Sequence, residues 1–106
     1  MPTNQSYNRP TNPYLAQKVL SASPEQLIAY VYDAAIAACT RQDRSKALSA
    51  IHILINSLRF DDKQIAFTFY SVYKRILDRI YKRRFDEAKG MLSDIRSAWN
   101  QAMKVN

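Results

Sequence analysis

Catalysis or tight ligation needs nucleophiles, bases, metal ligands or phosphate cradles brought together, and this chain offers few of them. It has one cysteine, Cys39, and one histidine, His52. A single thiol makes neither an internal disulfide nor a cysteine-based zinc cage. At 100° per residue His52 falls at the boundary of its helix's apolar stripe, where an imidazole is more often a structural side chain than a base. The adjacent carboxylates Asp61 and Asp62 suggest a paired acid, but they stand just ahead of a helical pattern, where capping accounts for them. With one glycine, neither a P-loop nor a dinucleotide fingerprint can form. These residues predict no catalytic site, no cofactor and no metal, hence no enzyme.

The one dense cluster of charge is the run YKRILDRIYKRR, which gathers Lys74, Arg75, Arg79, Lys82, Arg83 and Arg84. Lys and Arg interleaved with Tyr can track phosphates, which is the nucleic-acid reading. Cations also favour helix C-termini and keep a polar face solvated. The six spread around the helix instead of following one line, which favours the second reading and leaves an acidic protein partner open. The formal net charge of +7, from 16 Lys and Arg against nine Asp and Glu, points the same way and decides nothing about fold.

The elements that would position any site are helical. A chain of 106 residues, 47% apolar and 24% charged, suits one globular domain with a modest core. A single glycine leaves few tight turns needing positive φ, against a sheet-rich fold. The lone cysteine fits a reducing compartment. The opening MPTNQSYNRPTNPY is polar and Pro-rich, without the apolar segment of a signal peptide. No apolar run is long enough to cross a bilayer, so the expectation is a cytoplasmic protein without membrane insertion.

Residues 1–13 read as a flexible tail and 14–106 as a single bundle domain that opens on a short helical segment near Tyr14 to Leu20. Ser23, Pro24 and Gln26 form a capping-box start for a first helix running to Thr40 or Arg41. Asp43 caps a second, Arg44 to about Arg59, with Ala47, Leu48, Ala50, Ile51, Leu54, Ile55 and Leu58 inside. Asp61 or Asp62 caps a third, about Lys63 to Arg83, with Ile65, Phe69, Val72, Tyr73, Ile76 and Ile80 inside. Asp86 caps a fourth, with Ala88, Leu92, Ile95, Trp99 and Ala102 inside. Short polar connections make neighbours antiparallel, so the predicted fold is all-α, an up-and-down four-helix bundle.

Apolar residues remain once the stripes are filled. On the first helix Leu27, Val31, Ala34, Ala35 and Ala38 form the predicted inner sector, with Ile28, Tyr32 and Ile36 beside or opposite it. Ile53 lies off the second stripe, and Phe67, Tyr70 and Tyr81 lie off the third. Several such residues on neighbouring helices mark an interaction surface, for a partner or for a second copy of the chain.

The segment VLSASPEQLIAYVYDAAI, Val19 to Ile36, closely resembles the signature of the FliS family of flagellar export chaperones. Val19, Ser21, Ala22, Ser23, Pro24, Leu27, Tyr32, Asp33, Ala35 and Ile36 match its pattern. Asn12-Pro13-Tyr14 upstream, Ile65-Ala66 with Val72-Tyr73 and Arg79-Ile80, and GMLSDIRSAW from Gly90 to Trp99 follow in the family's order. Ala34 stands where the family has glycine, and its Gly-Gly before the third helix is replaced by Asp62-Lys63-Gln64. The first and last hairpins are shorter than usual, and in this topology they lie at one end.

The resemblance implies a binding protein that holds the disordered C-terminal segment of flagellin, prevents premature polymerisation and delivers it to the flagellar type III export gate. It implies Ile28, Tyr32, Ile36, Ile53, Phe67, Tyr70 and Tyr81 as client-facing, with Tyr14 and Leu15 lying over the empty groove. A co-chaperone or an anti-sigma factor is a further partner consistent with it, as is a homodimer when no client is bound. Leu27, Val31, Ile51, Leu54, Ile76, Ile95 and Trp99 are expected in the core. The alternatives are a small basic bundle that binds nucleic acid, or a structural dimerisation module.

Overall fold

The computed structural model describes residues 17, 20–59 and 63–103. Four helices occupy them: α1 (Pro24–Thr40), α2 (Arg44–Asn56), α3 (Lys63–Tyr81) and α4 (Phe85–Met103). There is no strand among the described residues. α1 packs on α2 and α4, and α3 packs on the same two helices, which is a square with α1 and α3 on one diagonal. The all-α four-helix bundle expected from the periodicity is the observed fold.

Local chemistry explains where each helix starts. The amide of Gln26 donates to Ser23 Oγ at 3.2 Å and the Ser23 amide donates to Gln26 Oε1 at 3.1 Å, so two amides that lack helical partners are satisfied reciprocally. Pro24 supplies the first helical φ. Asp43 Oδ1 accepts from the Lys46 amide at 3.1 Å and caps α2. Asp86 does not cap α4: that helix already begins at Phe85, and Asp86 sits in its first turn with Glu87, where a carboxylate still favours the helix dipole. α2 ends at Asn56 and α3 at Tyr81, earlier than Arg59 and Arg83. The Asp61 or Asp62 cap lies outside the described residues, and of the segment near Tyr14 to Leu20 only Gln17 and Leu20 are described, both helical, with the Ser21 amide donating to Gln17 O at 3.0 Å.

The two short hairpins share one design. At the end of α1 the Asp43 amide reaches back to Ala38 O at 2.8 Å and the Gln42 amide to Cys39 O at 3.0 Å. At the end of α3 the Arg84 amide reaches Arg79 O at 2.8 Å and the Arg83 amide reaches Ile80 O at 3.0 Å. Each is a Schellman closure whose pivot stands in the left-handed region without being glycine, Gln42 at φ 57° and Arg83 at φ 58°. Three residues therefore suffice to reverse the chain, and this accounts for the shortened connections at this end.

The core is centred on Tyr32, Ile51, Leu54, Tyr73, Ile76, Ile80 and Leu92, all fully buried. Tyr32, expected on the client-facing surface, is a correction: it is 0% exposed. Its hydroxyl is hydrogen-bonded to that of Tyr73 across the α1–α3 diagonal, and its ring sits 6.2 Å from Trp99. Phe69 completes the aromatic group, edge-on to Trp99 at 6.1 Å and tilted on Tyr73 at 6.0 Å. Burying a tyrosine ring removes far more apolar area from water than burying an alanine, so α1 turns Tyr32 inward. The buried face is Ala29, Tyr32, Ala35, Ala38 and Cys39, rotated by about one residue's turn, ~100°, from the predicted sector. Leu27 and Ala34 are exposed as a result, and Val31 is half-buried. Ile65 is likewise 55% exposed, and its neighbour Ala66, 2% exposed, is the residue that the first turn of α3 buries.

Burial pushes the Tyr32 hydroxyl up to about 12 against the opposing effect of its Tyr73 bond. Burial also raises Tyr73, and the adjacent Tyr32 adds to the shift. Both groups are neutral in the fold, whereas an unfolded tyrosine ionises near ~10. Their contribution to stability is therefore complete below pH ~10 and is lost as pH rises toward about 12. Tyr73→Phe should cost about 1–3 kcal/mol by leaving the Tyr32 hydroxyl buried and unpaired, while Tyr32→Phe/Tyr73→Phe should return to within about 1 kcal/mol of wild type. Urea denaturation followed by Trp99 fluorescence measures this. The double variant should also lose less stability than wild type above pH ~10; additive losses and an unchanged alkaline profile would contradict the pairing.

Candidate functional site

The four seams between neighbouring helices are not alike. Those made by α4 carry polar clasps. In the α1–α4 seam Arg96 grips Asp33 with two hydrogen bonds, Nε to Oδ1 and Nη2 to Oδ2, and the Asp33 bond raises the guanidinium above its ordinary pKa. Nearby the Trp99 indole N–H donates to Glu25 O at 3.1 Å, so this half-buried side chain serves as a tie as well as packing. In the α3–α4 seam Arg79 Nε donates to Glu87 Oε1 at 3.1 Å. Lys82, foremost, and Arg79 hold the Asp78 carboxyl below the usual range. Such exposed pairs add little stability, but they fix register and fill a seam with charge.

The seams made by α2 are different. Among the described residues no ion pair joins α2 to α1 or α3. Between α1 and α2 lies a shallow cleft of about 290 Å³ lined by Val31, Ala34, Ala50 and Ile53, with Ser49, Arg41 and Lys46. Leu27, 39% exposed, extends its α1 wall, since 27, 31 and 34 follow one line at helical spacing. Ile53 is 53% exposed on the wall opposite.

On the other side of α2, the same spacing puts Phe67, Tyr70, Lys74 and Tyr81 on one side of α3, away from Phe69 and Arg79, which reach α4. Phe67 and Tyr81 are 61% and 56% exposed, and Lys74 Nζ lies 5.9 Å from the Tyr70 ring centre. Arg44, at the start of α2, donates to Tyr81 O at 3.4 Å, which places this strip on the α2 side. Leu48 and Ile55 of α2 are half-buried and pack on the core. Two apolar strips thus flank the shortest helix.

The expected contact residues separate accordingly. Ile53, Phe67, Tyr70 and Tyr81 are exposed on these strips. Ile28 and Ile36 are half-buried and packed against the core, and Tyr32 is inside it. Tyr14 and Leu15 lie outside the described residues. Leu27, Val31 and Ala34, expected in the core, stand on the cleft side; their steps of four and three do mark one face of α1, and the rotation of the helix turns that face toward α2.

The basic run is half engaged: Arg79, Lys82 and Arg84 have acidic partners, while Lys74, Arg75 and Arg83 are exposed without an ion-pair partner among the described residues. Arg79 and Lys82 are held by Asp78 and Glu87, and Arg84 lies 3.9 Å from Glu87. A hollow of about 240 Å³ at the hairpin end is lined by both signs of charge, Arg83 and Arg84 with Asp86 and Glu87. His52 is exposed on α2. Burial raises the Cys39 thiol, which suits an inert core side chain. Among the described residues no group of His, Cys, Asp and Glu is placed to hold a metal ion, and no helix is long and apolar enough to cross a membrane.

If the strips are surface and the aromatic group is core, single substitutions should divide sharply. Ile53→Ser, Phe67→Ser and Tyr81→Ser should each change stability by no more than about 0.5 kcal/mol. Tyr32→Ala should cost about 3–5 kcal/mol. Thermal melts read by circular dichroism separate these outcomes, and a Phe67→Ser protein as unstable as Tyr32→Ala would contradict the assignment.

A family model described as flagellar protein FliS matches residues 6–106. No curated protein and no solved structure matches the chain.

Proposed function

The chain belongs to the FliS family of flagellar proteins, a chaperone family, and we propose that it is a cytosolic binding protein for the disordered C-terminal segment of a flagellin. In this reading it keeps that segment from polymerising before export and presents it to the flagellar type III export gate. It acts by binding and release, without catalysis.

One observation supports the reading above the others: apolar side chains line both seams of α2, and among the described residues no ion pair crosses either of them. A disordered, amphipathic segment gains buried apolar area by folding along such strips and loses chain entropy in doing so. The two effects offset each other, so a large contact area gives an affinity that still permits handover. The proposed contacts are Leu27, Val31 and Ile53 on one strip and Phe67, Tyr70 and Tyr81 on the other, with Ile28 and Ile36 reached only at their exposed edges.

The test is a calorimetric titration with the last ~40 residues of the cognate flagellin, paired with size-exclusion chromatography. The expected result is a 1:1 complex whose Kd changes less than about tenfold between ~50 and ~300 mM salt. Phe67→Ser/Tyr81→Ser should weaken it about tenfold or more, as loss of central aromatic anchors does. Failure to take up the tail would sink the proposal. Steeply salt-dependent binding to duplex DNA would move the function to nucleic acid, and a stable dimer that excludes the tail would move it to self-association.

A further inference from the structure

The cleft between α1 and α2 has a direction. Its α1 wall runs from Val31 and Ala34 to Arg41 just past the helix end, and Leu27 continues the same line one turn earlier, a span of about 21 Å at ~1.5 Å per residue. Its α2 wall runs Ile53, Ala50, Ser49 and Lys46. The first two-thirds is apolar, and the end nearest the first hairpin is closed by Arg41 and Lys46. Both cations are exposed, and neither has an ion-pair partner among the described residues. The acid in the same turn, Asp43, is already engaged in capping α2 through its bond from the Lys46 amide. Of the two acids on α1, Asp33 is turned toward α4 and held by Arg96, and Glu25 stands in the first turn, at the far end of the helix from Arg41.

We propose that this cleft takes an amphipathic stretch of the flagellin tail in one orientation only, with its carboxylates against Arg41 and Lys46 and its apolar side chains against Leu27, Val31, Ala34 and Ile53. The proposal rests on the flagellin-tail reading above and adds to it the polarity of the bound segment. Charge complementarity carries the argument. An apolar trough alone accepts an amphipathic helix in either direction, and two free cations at one end make one direction better than the other. The carboxylates are side chains of the segment or its chain terminus, and both present the same chemistry to the two cations.

The experiment uses the full chain and a synthetic peptide of the last ~40 residues of the cognate flagellin, made with a free and with an amidated C-terminus. Arg41→Glu/Lys46→Glu is compared with Arg75→Glu/Lys82→Glu, which changes the net charge equally at exposed positions outside the cleft lining. Circular dichroism establishes that both variants fold. The first pair should weaken the peptide about tenfold or more at ~100 mM salt, the second less than about threefold, and Arg41→Gln/Lys46→Gln should fall between wild type and the first pair. An amidated peptide that loses the same factor on wild type assigns the contact to the chain terminus, and one that keeps full affinity assigns it to side-chain carboxylates.

Equal effects of the two reversed pairs would overturn the proposal, because the effect would then be general charge. So would an unchanged Kd for Arg41→Glu/Lys46→Glu while wild type binds, and that outcome leaves the chaperone reading standing. A wild-type protein that ignores the peptide removes both.

Discussion

The hydroxyl bond between Tyr32 and Tyr73 sets the geometry on which the surface depends. It joins the diagonal helices α1 and α3 through the centre of the core, where an unpaired phenol would be costly. Satisfying both phenols with each other fixes the rotation of α1. Once Tyr32 points inward, helical spacing leaves Leu27, Val31 and Ala34 on the side toward α2. The apolar wall of the cleft is therefore a consequence of how the core is paired, as much as of the residues that line it.

The distribution of charge then divides the bundle into a sealed half and an open half. α4 is tied to α1 by Asp33–Arg96 and the Trp99 indole, and to α3 by Arg79–Glu87. These contacts add only a little stability each, yet they occupy the seams with groups that an apolar segment cannot profitably displace. α2 is the shortest of the four helices and is held mainly by Ala47, Ile51 and Leu54 in the core. Its flanks show Ile53, Phe67 and Tyr81 to solvent. A protein whose interhelical ion pairs among the described residues all reach one helix, with spare apolar area around another, is suited to holding a polymer segment along that second helix.

Much of the fold was legible in the sequence, because capping and period are local. Ser23, Pro24 and Gln26 announce α1, Asp43 announces α2, and the inner stripes of α2 and α4 follow the observed inner faces, with Leu48, Ile55, Leu58, Ile95 and Trp99 half-buried at their edges and Ala102 exposed on the last turn. The rotation of α1 was not legible. Its apolar residues extend most of the way around, so the period admits several inner faces, and the choice rests on a hydroxyl partner 41 residues away on α3. The same gap displaced Tyr32 and Leu27 between surface and core. On α3, Phe67, Tyr70 and Tyr81 stood out because the inner stripe there is narrow and they fall clear of it. The polarity of the cleft was hidden for another reason: Arg41 caps the end of α1 and Lys46 lies in the first turn of α2, and only the tight hairpin between the helices brings them to one end.

The central claim, that a client lies along the seams of α2, is tested most directly by methyl-resolved NMR of the Ile, Leu and Val side chains during titration with the flagellin tail. The account predicts the largest shifts at Ile53, Leu27 and Val31, with Ile95 of α4 nearly unmoved. Shifts concentrated on α4, or none anywhere as the tail is added, would contradict it.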